Sequence, residues 1–323
     1  MIQYKYQERS SRRNRRKTKL IRQFFLLAAL ALGAYFLFSL TTGAIAFFQA
    51  DSTRGKNGKV VSPLESLLEI KKSDSKLSEI IEPILENEKG EYSVFIENLS
   101  TGESFQLNSD KKMLAASLYK LWVMGSVYEK LSVDGIKRET VLSEEIPKLN
   151  EAFDIATESA ELKEGSIAMT VEQALYEMIT VSHNYAALLL SRAVRLSSVA
   201  EFMEENNYQH SSLNPPTTNA RDIAAFFKDL YEKKLVSMEA SEEMLELLKQ
   251  QEMDDRIPKY LPSETVIAHK TGELDGVKHD AGIVYSDKGD YIIVLMSDTG
   301  DQTNAAEVEA RISGAVYDYF QKK

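Results

Sequence analysis

Residues 115–131 read AASLYKLWVMGSVYEKL. Leu118, Leu121, Trp122, Val123 and Met124 give this stretch the apolar bulk of a buried helix, while Ser117 and Lys120 stand one helical turn apart on a common face. A serine hydroxyl is a weak nucleophile until a base takes its proton, and a nearby amine serves only when it is neutral. At the ordinary lysine pKa of ~10.4, about one amine in 2,500 is neutral at pH 7. Such a pair therefore works only where burial and a second cation lower that value. At the start of a helix the Ser117 backbone N–H can also serve an oxyanion. Taken singly, Ser-x-x-Lys is a weak signal, and an N-capping serine beside a solvated lysine is its plainer reading.

Two further motifs lie downstream. Ser182-His183-Asn184 follows the helical pattern TVEQALYEMITV. There Ser182 can relay a proton to a leaving nitrogen, and Asn184 can bind a substrate amide carbonyl. A helix-capping Ser/Asn pair is the alternative. Lys270-Thr271-Gly272 ends the strand-like run ETVIAHK. It offers a cation and a hydroxyl to a substrate carboxylate, with the Glu273 backbone N–H as a second oxyanion donor. Gly272 permits close approach to the backbone. Each of these, alone, reads as readily as ordinary structure.

The order of elements points to an α+β fold. A helix is predicted at 76–88, then strands at Tyr92–Glu97 and Glu103–Leu107 joined by the turn Asn98-Leu99-Ser100-Thr101-Gly102. Residues 117 to about 255 read as helices, two of them opened by capping boxes, Thr170-x-x-Gln173 and Ser198-x-x-Glu201. Strands at Thr265–His269, Ala281–Tyr285 and Tyr291–Met296 follow, with Asp287-Lys288-Gly289-Asp290 as a hairpin turn, and a last helix runs over about 304–321. Strands at both ends of a helical block predict an antiparallel sheet faced by helices, beside a helical lobe.

Together, and in this order, Ser-x-x-Lys, Ser-x-Asn and Lys-Thr-Gly form the set shared by class A β-lactamases and penicillin-binding proteins. The flanks Ala115-Ala116 and Val123-Met124-Gly125, the segments Met169-Thr170-Val171 and Met178-Ile179-Thr180-Val181, and Thr217-Thr218-Asn219-Ala220-Arg221-Asp222 also closely resemble that family. The resemblance spans about residues 76–321. It implies a β-lactamase-like three-layer α/β/α fold: a five-stranded antiparallel sheet flanked by helices, with an all-helical lobe and the site in the cleft between. It also implies that a β-lactam or a peptidoglycan stem-peptide amide acylates Ser117. Lys120 and Ser182 would act as catalytic groups, Asn184, Lys270, Thr271, Gly272 and Glu273 would bind substrate, and no cofactor is needed.

One departure bears on mechanism. Family members that turn over β-lactams carry a glutamate ahead of the Thr-Thr segment to activate the deacylating water, usually as Glu-x-x-Leu-Asn. Residues 206–220 (NNYQHSSLNPPTTNA) hold no acid, and alignment on Leu213-Asn214 puts His210 in that place. A neutral His210 is a candidate substitute base, against the alternative of an exposed loop histidine. The guanidinium that helps hold the substrate carboxylate also lacks an obvious counterpart, and Lys278 is the stand-in considered. Loss of one general base costs ~10²–10⁴ in rate, so acylation is expected to survive and deacylation to be slow. A D-Ala-D-Ala carboxypeptidase or penicillin-binding role, or a sensor that acylates once, stays open.

Outward from the domain, the N-terminus predicts an anchor. Residues 1–22 carry nine Lys or Arg and one acid, Glu8, although the whole chain has a formal net charge of −10. Phe24–Phe48 contains no Lys, Arg, Asp or Glu, and at ~1.5 Å per residue it is long enough to span the ~30 Å hydrocarbon core. The expectation is a cytoplasmic basic tail at 1–22, a single transmembrane helix at 23–50, an extracellular linker at 51–75 and an extracellular domain at 76–323, held at the cell membrane. A signal peptide cleaved at Ala44-Ile45-Ala46 is the competing reading. The acidic remainder argues against nucleic acid. No cysteine is present, only four histidines occur and none is arranged as His-Glu-x-x-His, so neither thiolate chemistry nor a zinc hydrolase is expected.

Overall fold

The computed structural model describes residues 75–322. The expected basic tail, membrane span and all but the last residue of the linker lie outside the described residues. Within them no helix is long and apolar enough to cross a membrane.

Five strands make the main sheet: β1 (Glu91–Asn98), β2 (Ser104–Leu107), β8 (Ile267–Leu274), β9 (Val277–Val284) and β10 (Tyr291–Asp298), in the spatial order β2-β1-β10-β9-β8. The pairs are antiparallel, with Phe95 opposite Val294 and Lys270 opposite Ala281. β10 sits at the centre because both of its faces are apolar. Ile292, Val294 and Met296 enter one core, and Tyr291, Ile293 and Leu295 enter the other. Alternation along a strand sends successive side chains to opposite faces. A sheet buried on both sides reads as a nearly unbroken apolar run, as YIIVLMS does.

One face is covered by the first and last helices, α1 (Ser75–Leu85) and α9 (Gln302–Gln321), through Leu77, Ile81, Val308, Ile312, Val316 and Phe320. The other face meets the helical lobe, built around α2 (Lys120–Ser132). Every residue of α2 from Lys120 to Tyr128 is buried, so this helix runs through the core instead of along a surface. Trp122 anchors it, stacked on Tyr208 at 4.7 Å and edge-on to Phe226 at 5.3 Å. Around it pack α4 (Val171–Thr180), α5 (Asn184–Val194), α6 (Leu196–Glu205), α7 (Ala220–Tyr231) and α8 (Met238–Leu248). The expected α+β arrangement, a five-stranded antiparallel sheet with helices on both faces beside a helical lobe, is the observed fold.

Three local expectations need correction. A short strand, β3 (Met113–Leu114), precedes the helical block, and the block contains four more, β4 (Val141–Glu145), β5 (Ser166–Thr170), β6 (Ser212–Leu213) and β7 (Pro216–Thr218), with the helix α3 (Ile146–Ala152) between β4 and β5. The Thr170/Gln173 capping box is formed in full, but Ser198 caps nothing: α6 starts earlier, at Leu196, behind Arg195 in the left-handed region at φ 70°. β8 and β9 run well past the predicted ends, so Lys270-Thr271-Gly272 lies inside a strand instead of terminating one.

Candidate active site

Ser117 belongs to a 3₁₀ turn, Ala116–Tyr119, that precedes α2. It therefore does not open the α-helix, as the sequence suggested. In a 3₁₀ turn residues i and i+3 eclipse, which sets Ser117 and Lys120 on the same side more closely than an α-turn would. The Lys120 backbone N–H donates to the Ser117 carbonyl. Entry into the turn is sharp, with Ala116 in the left-handed region at φ 44°. β8 and β9 hold the turn from below. A Cβ on Gly272 would lie 3.3 Å from both Ala116 Cβ and Leu118 Cγ, so the glycine lets β8 press against the turn. His279 Nε2 donates to the Leu114 carbonyl at 2.8 Å while its Nδ1 accepts from Ser297 N–H at 3.2 Å. Burial pushes the His279 pKa down to about 4, which keeps the ring neutral.

Lys120 points from the first turn of α2 into the loop between α4 and α5. Its Nζ donates to the Ser182 carbonyl at 2.6 Å, to Asn184 Oδ1 at 2.8 Å and to Ser182 Oγ at 3.2 Å. Ser182 reaches back because its own backbone is left-handed, at φ 57°. His183 caps α5 by accepting from Ala186 N–H, which leaves the Asn184 side chain free of capping duty. From the opposite wall Lys270 donates to the same Ser182 Oγ at 2.9 Å and to the Thr271 carbonyl at 2.9 Å. Both lysines are fully buried. Burial is the main force pushing the Lys120 pKa down, to about 7, opposed by the carboxylate of Glu161. Lys270 lies well below the ordinary lysine range, first through burial and then through the nearby Lys120, with Asp280 opposing.

A cleft of about 640 Å³ opens over this group, lined by Ser117, Tyr119, Glu161, Ser182, His183, Asn184, Met253 and Glu273 among others. The structure thus brings together Ser117, Lys120, Ser182, Asn184, Lys270, Gly272 and Glu273, with the lysines beneath the floor. Thr271 is adjacent but buried, and its hydroxyl donates to Met253 Sδ at 3.0 Å. The two remaining candidates go elsewhere. His210 does not line the cleft. Its backbone N–H donates to Asp222 Oδ2 at 2.9 Å and its Nδ1 lies 3.3 Å from Asp222 Oδ1, so a carboxylate on the first turn of α7 holds it away. Lys278 pairs with Glu273 Oε2 at 2.6 Å, directly across β8 and β9, and with Asp255 at 3.5 Å. Its charge is spent there and not on the cleft.

Two charged residues here escaped the sequence reading. Arg256 is buried behind β8, donating to the His279 carbonyl at 2.7 Å and to Glu273 Oε2 at 3.2 Å. Glu161, from the loop between α3 and β5, accepts from Asn184 Nδ2 at 3.0 Å. Neither lies in a recognisable motif; the only sequence signal was an arginine shortly before a strand and an acid in a polar loop. Among the described residues no cluster of His, Asp and Glu suited to a metal ion occurs.

A family model described as "Beta-lactamase enzyme family" matches residues 76–320. No curated protein matches the chain. Similar solved structures include PBP-A, at 20% identity and TM-score 0.69, covering 77% of this chain and 97% of that one. A β-lactamase from Sphaerobacter thermophilus matches at 22% identity and TM-score 0.67, with the same coverage. A PBP-A mutant described as an acyl-enzyme complex with penicillin G matches at 20% identity and TM-score 0.67, covering 77% of this chain and 98% of that one. At such identities the likeness speaks for the fold.

Proposed function

Since the chain belongs to the beta-lactamase enzyme family, we propose that its cleft acylates Ser117 with β-lactams or peptidoglycan-type amides and releases the product slowly. The observation that carries this reading is the convergence of two buried amines, Lys120 and Lys270, on Ser182 Oγ in a cleft that Ser117 also lines. In the neutral state Lys120 takes the Ser117 proton as Oγ attacks the substrate carbonyl. As the C–N bond breaks, Ser182 gives its proton to the leaving nitrogen and regains one from the ammonium of Lys120. Water then adds to the ester, releasing a carboxylate product and restoring the Ser117 hydroxyl.

Slow release is supported by the acids at hand. Residues 206–220 hold none, His210 is held by Asp222, Glu273 is neutralised by Lys278 and Arg256, and Glu161 is engaged by Asn184. The same shortage supports a second reading, a penicillin-binding or sensing protein, or a D-Ala-D-Ala carboxypeptidase, for which a β-lactam is a slowly released inhibitor. Placement of the domain outside the cell, on a helix at 24–48 in the lipid bilayer, rests on the uncharged run and the basic residues before it.

The test is to mix full-length protein with a fluorescent penicillin and with a chromogenic cephalosporin. Stoichiometric labelling followed by slow turnover is expected. Labelling that survives in Ser117→Ala would remove Ser117 from the chemistry, and no labelling of the wild type would overturn acylation itself.

A further inference from the structure

Two acids line the cleft, and they differ in company. Glu273 is tied to Lys278 and Arg256. Glu161 faces Asn184 alone among the described residues, its Oε2 accepting from Nδ2 at 3.0 Å. A carboxylate can only accept, so this contact fixes which way round the Asn184 carboxamide stands. The nitrogen is turned outward to Glu161 and the oxygen inward, where Lys120 Nζ donates to it at 2.8 Å. Lys120 continues to Ser182, and Lys270 closes the chain on the same hydroxyl. A flipped carboxamide would set its NH₂ donors against the Lys120 amine and break the line.

We propose that Glu161 is a positioning residue for Lys120, acting through Asn184. The Asn184 NH₂ has two hydrogens. One serves Glu161, and the other remains for a substrate carbonyl, so orientation and substrate binding proceed together. The carboxylate has a second effect. The charged groups facing Lys120 are Lys270 from β8 and Glu161 from the α3–β5 loop; Ser182 and Asn184 are neutral, and Arg256 and Asp280 lie behind Lys270. Glu161 thus opposes the loss of the Lys120 proton that burial promotes.

The inference rests on the acylation reading, and its test separates the two. Labelling of full-length protein by a fluorescent penicillin would be followed between about pH 5 and pH 9, around the Lys120 value, for the wild type, Glu161→Gln and Glu161→Ala. Both variants should move the acid limb of the rate profile to lower pH, because both remove the charge. Glutamine still offers an oxygen to Asn184, so its plateau should exceed that of alanine, which is expected to fall about tenfold through misplacement. An acid limb that stays put in both variants overturns the proposal, as does an equal plateau for the two. If the wild type is not labelled, acylation fails but the effect of the Glu161 charge on Lys120 is still read without substrate. Thermal stability against pH bends where Lys120 titrates, and that bend should move down in Glu161→Gln. An unmoved bend counts against Glu161.

Discussion

Lys120 and Lys270 direct their amines at one oxygen, Ser182 Oγ, from 3.2 and 2.9 Å. Two ammonium groups so close, both out of water, repel strongly. Both lysines are pushed toward the neutral state, Lys120 by burial and Lys270 by burial and then by Lys120, and a neutral Lys120 is what a nucleophilic serine needs from its neighbour.

Acylation should therefore follow the titration of Lys120. Its amine loses its proton near pH 7, so the labelling rate should rise about tenfold per unit below that value and level off above it. Stopped-flow labelling with a fluorescent penicillin measures this. A rate that falls with rising pH across the same range would exclude Lys120 as the base.

The same shift predicts how stability responds to pH. The unfolded lysine holds its proton up to about 10.4, while the folded one releases it near 7. Between these values the unfolded chain binds more protons, so stability rises with pH, by up to ~1.4 kcal/mol per unit for one group. Lys270 acts in the same direction. Above about pH 10 the trend should reverse as unfolded tyrosines ionise, since burial holds Tyr92 and Tyr119 up to about 12. Lys120→Met should be more stable than the wild type at pH 6, by about 2–4 °C in Tm for each kcal/mol regained, and flatter between pH 7 and 10. Thermal melts at a series of pH values check both; a less stable Met variant would contradict the burial cost.

Gly272→Ala should slow acylation more than it destabilises. The added methyl meets Ala116 and Leu118 at 3.3 Å, tight enough to shift the 3₁₀ turn by a few tenths of an ångström. A stability loss near ~1 kcal/mol is expected from such overpacking, with a rate loss of about tenfold or more from displacement of Ser117. Denaturant titration and labelling kinetics on the same sample separate the two effects.

His210→Ala should leave adduct decay within about twofold of the wild type, because removal of a true general base would cost ~10²–10⁴ and the imidazole faces Asp222, not the cleft. Decay of the fluorescent adduct on a gel is sufficient. A large slowing would restore His210 to the chemistry.

What the sequence made legible was the local chemistry. Ser117 and Lys120 share one turn, and three short motifs in fixed order carried the family. The sheet was read from apolar runs such as YIIVLMS, but the inner halves of β8 and β9 were missed. There Lys270, Thr271, Lys278, His279 and Asp280 are all buried, and polar residues give no strand signal until their partners are known. Asp280, for example, is taken up by His269 Nδ1 at 2.9 Å and by the Ile257 N–H at 3.0 Å. Glu161 and Arg256 were invisible for the same reason, since only tertiary contacts give them a role. His210 was placed by alignment on two residues, Leu213 and Asn214, with no knowledge that Asp222 would intercept it.

Ala116 and Ser182 occupy backbone conformations that cost non-glycine residues roughly 1–3 kcal/mol each. Neither segment would hold that shape as a free peptide, so Ser117 and Ser182 share one cleft only while the surrounding layers stay packed. Partial loosening of the lobe from the sheet should silence the chemistry before the chain has melted, and heat inactivation of this protein should precede its calorimetric transition.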